Sequence, residues 1–275
     1  MQTIPFYKMS GSGNDFILID NRENILGDIG LDQFIVQVCR RKMSAGADGM
    51  ILIEAAEDLD FKWRFYNSDG SRAEMCGNGA RCAARYAYLN DIAGTEMVFG
   101  TDAGPIQASV SGDRVRIGMT PPFGYRPPFV LNAGGHAVEV SFINTGVPHA
   151  VIRTDDLATA PVVDLGRAIR QHPEFAPAGT NVNFIAVEDS SRLGIRTYER
   201  GVEDETLACG TGAVAGALVY ALENGTPAPI DMLTRSNKRL TIHYELDGDN
   251  CRQVFMEGDA RIIYTAALTP DAWQY

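Results

Sequence analysis

MCGNGARCAARYAYLN (Met75–Asn90) and ACGTGAVAGALVYALEN (Ala208–Asn224) open alike. Each starts with Cys-Gly-x-Gly-Ala and runs on in alanine and other small residues. Such a helix is apolar nearly all round, so it belongs inside a structure, with sheet packed about it. Cys76 and Cys209 lie 133 positions apart (209 − 76). Gly13 in GSGNDFILID and Gly146 in NTGVPHAVIR lie at the same separation (146 − 13), each a glycine turn feeding an apolar strand. The two coincidences predict two copies of one unit, with a seam near Thr120-Pro121-Pro122. The expected division is a lobe over 1–120, a second over 121–264, and a C-terminal strand within 265–275 that returns to the first.

Between the paired segments, strand patterns dominate. Phe61–Phe65, Arg114–Ile117 and Gly194–Glu199 alternate apolar with polar residues. Phe16–Ile19, Met50–Ile53 and Phe184–Val187 are short apolar runs bounded by turn residues. Helices are expected at Leu31–Arg41, about Gly77–Leu89, Asp164–Gln171 and about Gly210–Leu222. Many strands and few helices make the class α+β rather than a βαβ nucleotide fold.

Composition narrows the function. The 275 residues carry a net charge of -11, which argues against nucleic acid, whose phosphates need a basic face. The basic run Arg40-Arg41-Lys42 reads as solvated cations at a helix end. The longest uncharged apolar run, Ala213–Leu222, is far short of the ~20 residues that span a bilayer, and the N-terminus lacks a signal-peptide pattern. Five cysteines make no disulfide framework, so a reducing cytoplasm is expected. The four histidines show no ligand spacing, and no metal site is expected.

The matched helix starts suggest proton transfer. Unpaired amides and the positive dipole end at a helix start favour thiolate over thiol, lowering the pKa expected of Cys76 and Cys209. Gly77, Gly79, Gly210 and Gly212, lacking Cβ, would let a ligand approach the backbone. The amides there would hold a carboxylate. With one sulfur on each side of an amino acid's α-carbon, one removes the proton as thiolate and the other delivers one as thiol, inverting configuration. Cys39, Cys82 and Cys251, without that setting, read as small buried hydrophobes.

Around these thiols the chain resembles the diaminopimelate epimerase family over essentially its full length. The stretches that carry the likeness are GSGNDF (Gly11–Phe16), GADG (Gly46–Gly49), FYNSDGSRAEMCGNGAR (Phe65–Arg81), NTGVPH (Asn144–His149), TNVNF (Thr180–Phe184) and YERGVEDETLACGTGA (Tyr198–Ala213). The resemblance implies interconversion of LL- and meso-2,6-diaminopimelate without cofactor or metal, in a cytoplasmic homodimer. It also implies two pseudo-symmetric domains, each a mostly antiparallel, barrel-like sheet wrapped on a central helix. Cys76 and Cys209 fall on the family's acid/base positions, and Gly77, Asn78, Gly210 and Thr211 on its carboxylate-holding helix starts. Asn14, Asn67, Asn181, Glu199 and Arg200 match its substrate-binding positions. By the same likeness, His149 attends Cys76 and Glu199 attends Cys209.

Chemically, Arg200 offers a two-pronged donor for a distal carboxylate and Glu199 an acceptor for an ammonium. On its own, Glu199-Arg200 also reads as a surface pair. Two positions depart from the pattern: some members have glutamine at Gly49 and asparagine at Val147, and Asn144 is the nearest substitute for the latter. Three alternatives stay open: a proline racemase-like two-cysteine enzyme, a non-catalytic amino-acid-binding module, and a thiol redox sensor. The first typically has histidine where this chain has Asn78.

Overall fold

The computed structural model describes residues 3–27 and 29–275. The chain divides into two compact units, one running up to Ile117 together with Gly258–Tyr275, the other Gly118–Glu257.

In the first unit the strands are β1 (Ile4–Gly11), β2 (Asn14–Asp20), β3 (Gly49–Glu54), β4 (Phe61–Asn67), β5 (Glu96–Thr101), β6 (Gly104–Ser111) and β7 (Arg114–Gly118). From β1 to β7, the successive pairings are antiparallel, parallel, antiparallel, parallel, antiparallel and antiparallel. Helix α1 (Leu31–Cys39) packs on β3 through Phe34, Ile35 and Val38. Helix α2 (Gly77–Leu89) packs against β1, β2, β3 and β6. Its Ala80, Cys82, Ala83, Ala84 and Ala87 are fully buried, as the sheet closes round a helix of small side chains.

The second unit contains β8 (Phe123–Ala133), β9 (His136–Asn144), β10 (Pro148–Arg153), helix α3 (Val162–Arg170), β11 (Asn181–Asp189), β12 (Arg192–Glu199) and β13 (Asp204–Thr206). It continues with helix α4 (Gly210–Asn224), β14 (Ile230–Leu233), β15 (Arg239–Asp247) and β16 (Asn250–Asp259), whose last two residues belong to the first unit. Read along β9, β10, β11, β12, β14, β15 and β16, the pairings repeat the same series of directions. Helix α4 packs against β9, β10, β11, β12, β14 and β15, and it is buried from Gly212 to Ala221. A Cβ at Gly216 would stand 2.9 Å from Ile185 and 3.0 Å from Met232. The small residues of this helix thus set how closely the sheet can approach it.

The duplication is therefore one of topology as well as of spacing. Gly13 and Gly146 take nearly the same left-handed backbone, φ 107° and 103°, which glycine adopts without strain. The chain returns to the first unit at Gly258, earlier than the expected 265. The reason is β17 (Arg261–Leu268), which pairs antiparallel along β1 from Ser10↔Arg261 to Ile4↔Leu268. The basic run is exposed as expected at a helix end, and Arg41 is paired as well. Arg41 bridges Asp15 at 2.5 Å and Asp48 at 2.8 Å. Against the upward pull of burial, Arg41 and Lys8 hold the Asp15 carboxyl down at about 2. Helix α1 ends at Cys39, two residues short of expectation, and α3 begins at Val162. No helix among the described residues is long and apolar enough to cross a membrane.

Candidate active site

In the first unit, Cys76 is the N-cap of α2, with extended backbone (φ -147°, ψ 114°) and Sγ 3.5 Å from the Gly79 amide that donates to it. A thiol at this position faces the unpaired amides of the first turn. Asn78 is tied down from both ends. Its Nδ2 donates to Asn14 Oδ1 at 2.6 Å, and its Oδ1 accepts from Arg81 at 2.7 Å. Asn14 in turn donates to Asp48 at 3.2 Å. Asn67 is exposed at the end of β4 and donates to Ser71 Oγ at 3.0 Å.

Arg81 supports this helix start and was passed over by motif reading. It is fully buried, and its guanidinium also donates to Ser12 Oγ at 2.8 Å, Asp259 O at 3.3 Å and Gly77 O at 3.4 Å. Burial pulls its pKa down, and the charges of Cys82, Asp259 and Cys76 oppose that pull. It therefore pins the α2 start to the β1–β2 turn.

In the second unit, Cys209 caps α4 with a similar extended backbone (φ -118°, ψ 111°) and is buried. Its Sγ lies 3.5 Å from Thr211 Oγ1. Thr211 is anchored through its carbonyl, which accepts from Thr145 Oγ1 at 3.0 Å. The expected lowering of the thiol pKa does not occur here. Burial pushes Cys209 up to about 12 and the Glu199 charge pushes the same way, outweighing the Thr211 hydroxyl and the amides of Thr211 and Gly212. Burial likewise raises Glu199 above the usual carboxylate range.

Asn181 accepts from the Arg200 amide at 2.8 Å and donates to Pro148 O at 3.2 Å, so it fixes the backbone at the Glu199-Arg200 corner. The Arg200 guanidinium donates to Ala178 O at 3.0 Å. His149 is fully buried, and burial holds it neutral, with its pKa lowered to about 3. The second unit thus brings Cys209, Glu199, Thr211 and Gly210 together at one helix start, with Asn181 and His149 on the adjoining strands and Arg200 in the turn after β12.

The glycines also answer to the packing around them. A Cβ at Gly79 would meet Ile51 at 3.2 Å, one at Gly210 would meet Met256 at 3.0 Å, and one at Gly212 would meet Asn183 Oδ1 at 2.3 Å. At these three positions an added side chain would press on protein atoms. Gly49 is similar, since a Cβ there would stand 2.6 Å from the Tyr66 carbonyl oxygen. Asn144 commits its Oδ1 to the Gly146 amide at 3.0 Å, so only its Nδ2 is left to replace a polar group at Val147. Cys39 and Cys82 are buried, with burial pushing each to about 12, as befits inert packing. Cys251 departs from that reading, being half-buried at the start of β16 and donating to Gln253 O at 3.2 Å. Among the described residues no group of three or more His, Cys, Asp or Glu side chains is placed to hold a metal.

The sequence model of the diaminopimelate epimerase family matches residues 6–123 and 141–263. The chain belongs to the diaminopimelate epimerase family. Diaminopimelate epimerase of Aquifex aeolicus is 45% identical over 98% of this chain and 99% of its own length. That of Chlorobaculum tepidum is 41% identical over 95% and 100%. Among solved structures, a PhzF-family phenazine biosynthesis protein of Bacillus anthracis is similar at TM-score 0.75 with 14% identity, covering 98% of this chain and 100% of that one. A probable proline racemase of Agrobacterium radiobacter reaches 0.66 with 16% identity, covering 97% and 94%. At such identities these likenesses speak to the fold alone, which this epimerase family shares with them.

Proposed function

We propose that this chain interconverts LL- and meso-2,6-diaminopimelate by two-base proton transfer, with Cys76 and Cys209 as the bases and no cofactor. The observation that carries the reading is the repeated thiol at the N-cap of a buried helix, in a chain of the diaminopimelate epimerase family. One thiolate takes the α-proton while the opposite thiol supplies one to the other face. The amides that open α2 and α4, at Gly77, Asn78, Gly210 and Thr211, hold the carboxylate and stabilise the charge that spreads onto it.

In this reading Asn14, Asn67, Asn181, Glu199 and Arg200 bind the substrate. Glu199 attends Cys209, a role supported by the pull of its charge on that thiol. His149 attends Cys76 as a buried neutral ring that helps set the protonation of that thiol. The enzyme works in the cytoplasm as a homodimer. The exposed run 262–267 of β17, with Ile262, Ile263 and Tyr264, supports a second copy meeting that strand.

The test is turnover of LL-diaminopimelate in heavy water without added cofactor. One α-carbon should acquire deuterium, and Cys76→Ala or Cys209→Ala should each remove interconversion. Either variant epimerising at the wild-type rate would overturn the two-base assignment. Proline racemisation in the same assay would favour the proline racemase reading. An amino-acid-binding module would tolerate both substitutions, and a redox sensor would gain its activity from a Cys76–Cys209 disulfide that silences an epimerase.

A further inference from the structure

Where β10, β11 and β12 run side by side, three polar side chains are buried together. Asn183 and His149 are fully buried, and Thr197 is nearly so. Asn183 Oδ1 accepts from Thr197 Oγ1 at 3.0 Å, and its Nδ2 donates to the Ala150 carbonyl oxygen at 3.0 Å. The same Nδ2 lies 3.0 Å from His149 Nδ1. On the far side of the ring, His149 Nε2 is buried with no hydrogen-bond partner among the described residues.

These contacts decide where the ring proton sits. A carbonyl can only accept, so the end of Asn183 that faces Ala150 must be the NH2. An amide nitrogen can only donate, so His149 Nδ1 must be the bare nitrogen that receives its second hydrogen. The neutral ring then carries its proton on Nε2. A second proton on Nδ1 would point straight at an N–H. The arrangement depends on Gly212, because any Cβ there would stand 2.3 Å from Asn183 Oδ1. The second glycine of the Cys209 helix start therefore gives this amide its space.

We propose that Asn183, steadied by Thr197, is a positioning residue that locks His149 in the Nε2–H tautomer, so that Nε2 serves as a fixed hydrogen-bond donor favouring the Cys76 thiolate while the ring itself neither gains nor loses a proton. This rests on the reading above that His149 attends Cys76. Asn183 touches no reacting atom. Its effect passes through the imidazole, and Arg200 is the charged neighbour whose field the ring feels.

The test uses the full chain labelled with 15N. Long-range proton–nitrogen correlations report which ring nitrogen is protonated, and His149→Gln identifies the signal. The wild type should show Nε2 protonated and Nδ1 bare at neutral pH. Asn183→Asp keeps the shape but offers Nδ1 an acceptor, so the proton should move to Nδ1. Turnover should fall ~10²–10⁴-fold, the range for a catalytic imidazole held in the wrong tautomer, with KM little changed. Thr197→Val, nearly the same shape, should give a mixture of tautomers and a smaller fall.

A wild-type ring protonated on Nδ1 overturns the proposal, even if Asn183→Asp fails to fold. So does a folded Asn183→Asp whose ring proton has moved while turnover stays normal. Normal turnover in His149→Gln instead removes the catalytic reading of His149, whatever tautomer is found.

Discussion

Replacing Arg81 by leucine should loosen the Cys76 half-site from below. The guanidinium makes two short hydrogen bonds, to Asn78 Oδ1 at 2.7 Å and Ser12 Oγ at 2.8 Å, and two long ones to carbonyls at 3.3 and 3.4 Å. Charge-assisted bonds contribute roughly 1.5–3 kcal/mol each, so the short pair accounts for ~3–6 kcal/mol. Removing a buried cation returns part of that as relieved desolvation, which leaves a net loss of about 3 kcal/mol. At ~2–4 °C per kcal/mol for a domain of this size, the transition of the first unit should drop by about 6–12 °C in calorimetry. Hydrogen exchange should localise the loss to the α2 start, and turnover should fall with it, since a misplacement of ~1 Å at a reacting group can cost ~10²-fold. Arg81→Leu melting within ~1 kcal/mol of wild type, with α2 exchange unchanged, would refute the view that this cation anchors the helix.

Three further outcomes follow from burial and close packing. His149 is held neutral at about 3 against an ordinary 6.5, so below pH ~6.5 the unfolded ring gains a proton that the folded ring refuses. Its stability contribution is complete above that pH and should decline by ~1.4 kcal/mol per unit as pH falls toward 3, a slope that urea titrations of His149→Gln should lack. In Cys76→Ala, alkylation of Cys209 tracked by mass spectrometry should rise about tenfold per pH unit from 7 to 10, and a plateau below pH 9 would contradict a thiol pushed up to about 12. Gly49→Ala should cost ~1–3 kcal/mol by forcing the Tyr66 carbonyl aside, and a chemical melt unchanged from wild type would show that β3 can yield there.

How much of this was legible beforehand differs by kind of information. The duplication could be read because one separation links two thiols and two glycine turns, and in both copies the glycine takes the same positive φ. The thiols and the Glu199-Arg200 corner stood in recognisable motifs. Arg81 lay within a quoted motif yet carried no signal, because a basic residue on a small-residue helix looks solvent-exposed until the sheet wraps it. Asn183 was hidden in a similar way. Strand alternation places it on the same face as Asn181, but only the register of β10 on β11 brings His149 Nδ1 to its amide. The packing at the glycines was illegible for the converse reason. Absence of a side chain looks the same in sequence whether ligand or protein fills the gap.

The pKa of Cys209 was misjudged because a helix start was treated as a sufficient cause. The dipole and first-turn amides act on both thiols by the same geometry, since both are N-caps with extended backbone. What differs is first burial, Cys209 being buried and Cys76 only half-buried, and then the charge each copy adds. Moving 133 positions on from Arg81 reaches Val214, so the second helix carries no buried cation at that site. The carboxylate of Glu199 bears on Cys209, while the position 133 before it is Tyr66. Duplication thus supplies two equivalent frames, and the side chains set in them make the half-sites electrically unlike. Under the proposed two-base reading one base must be empty while the other is loaded, and unlike surroundings bias which thiol holds the proton at rest.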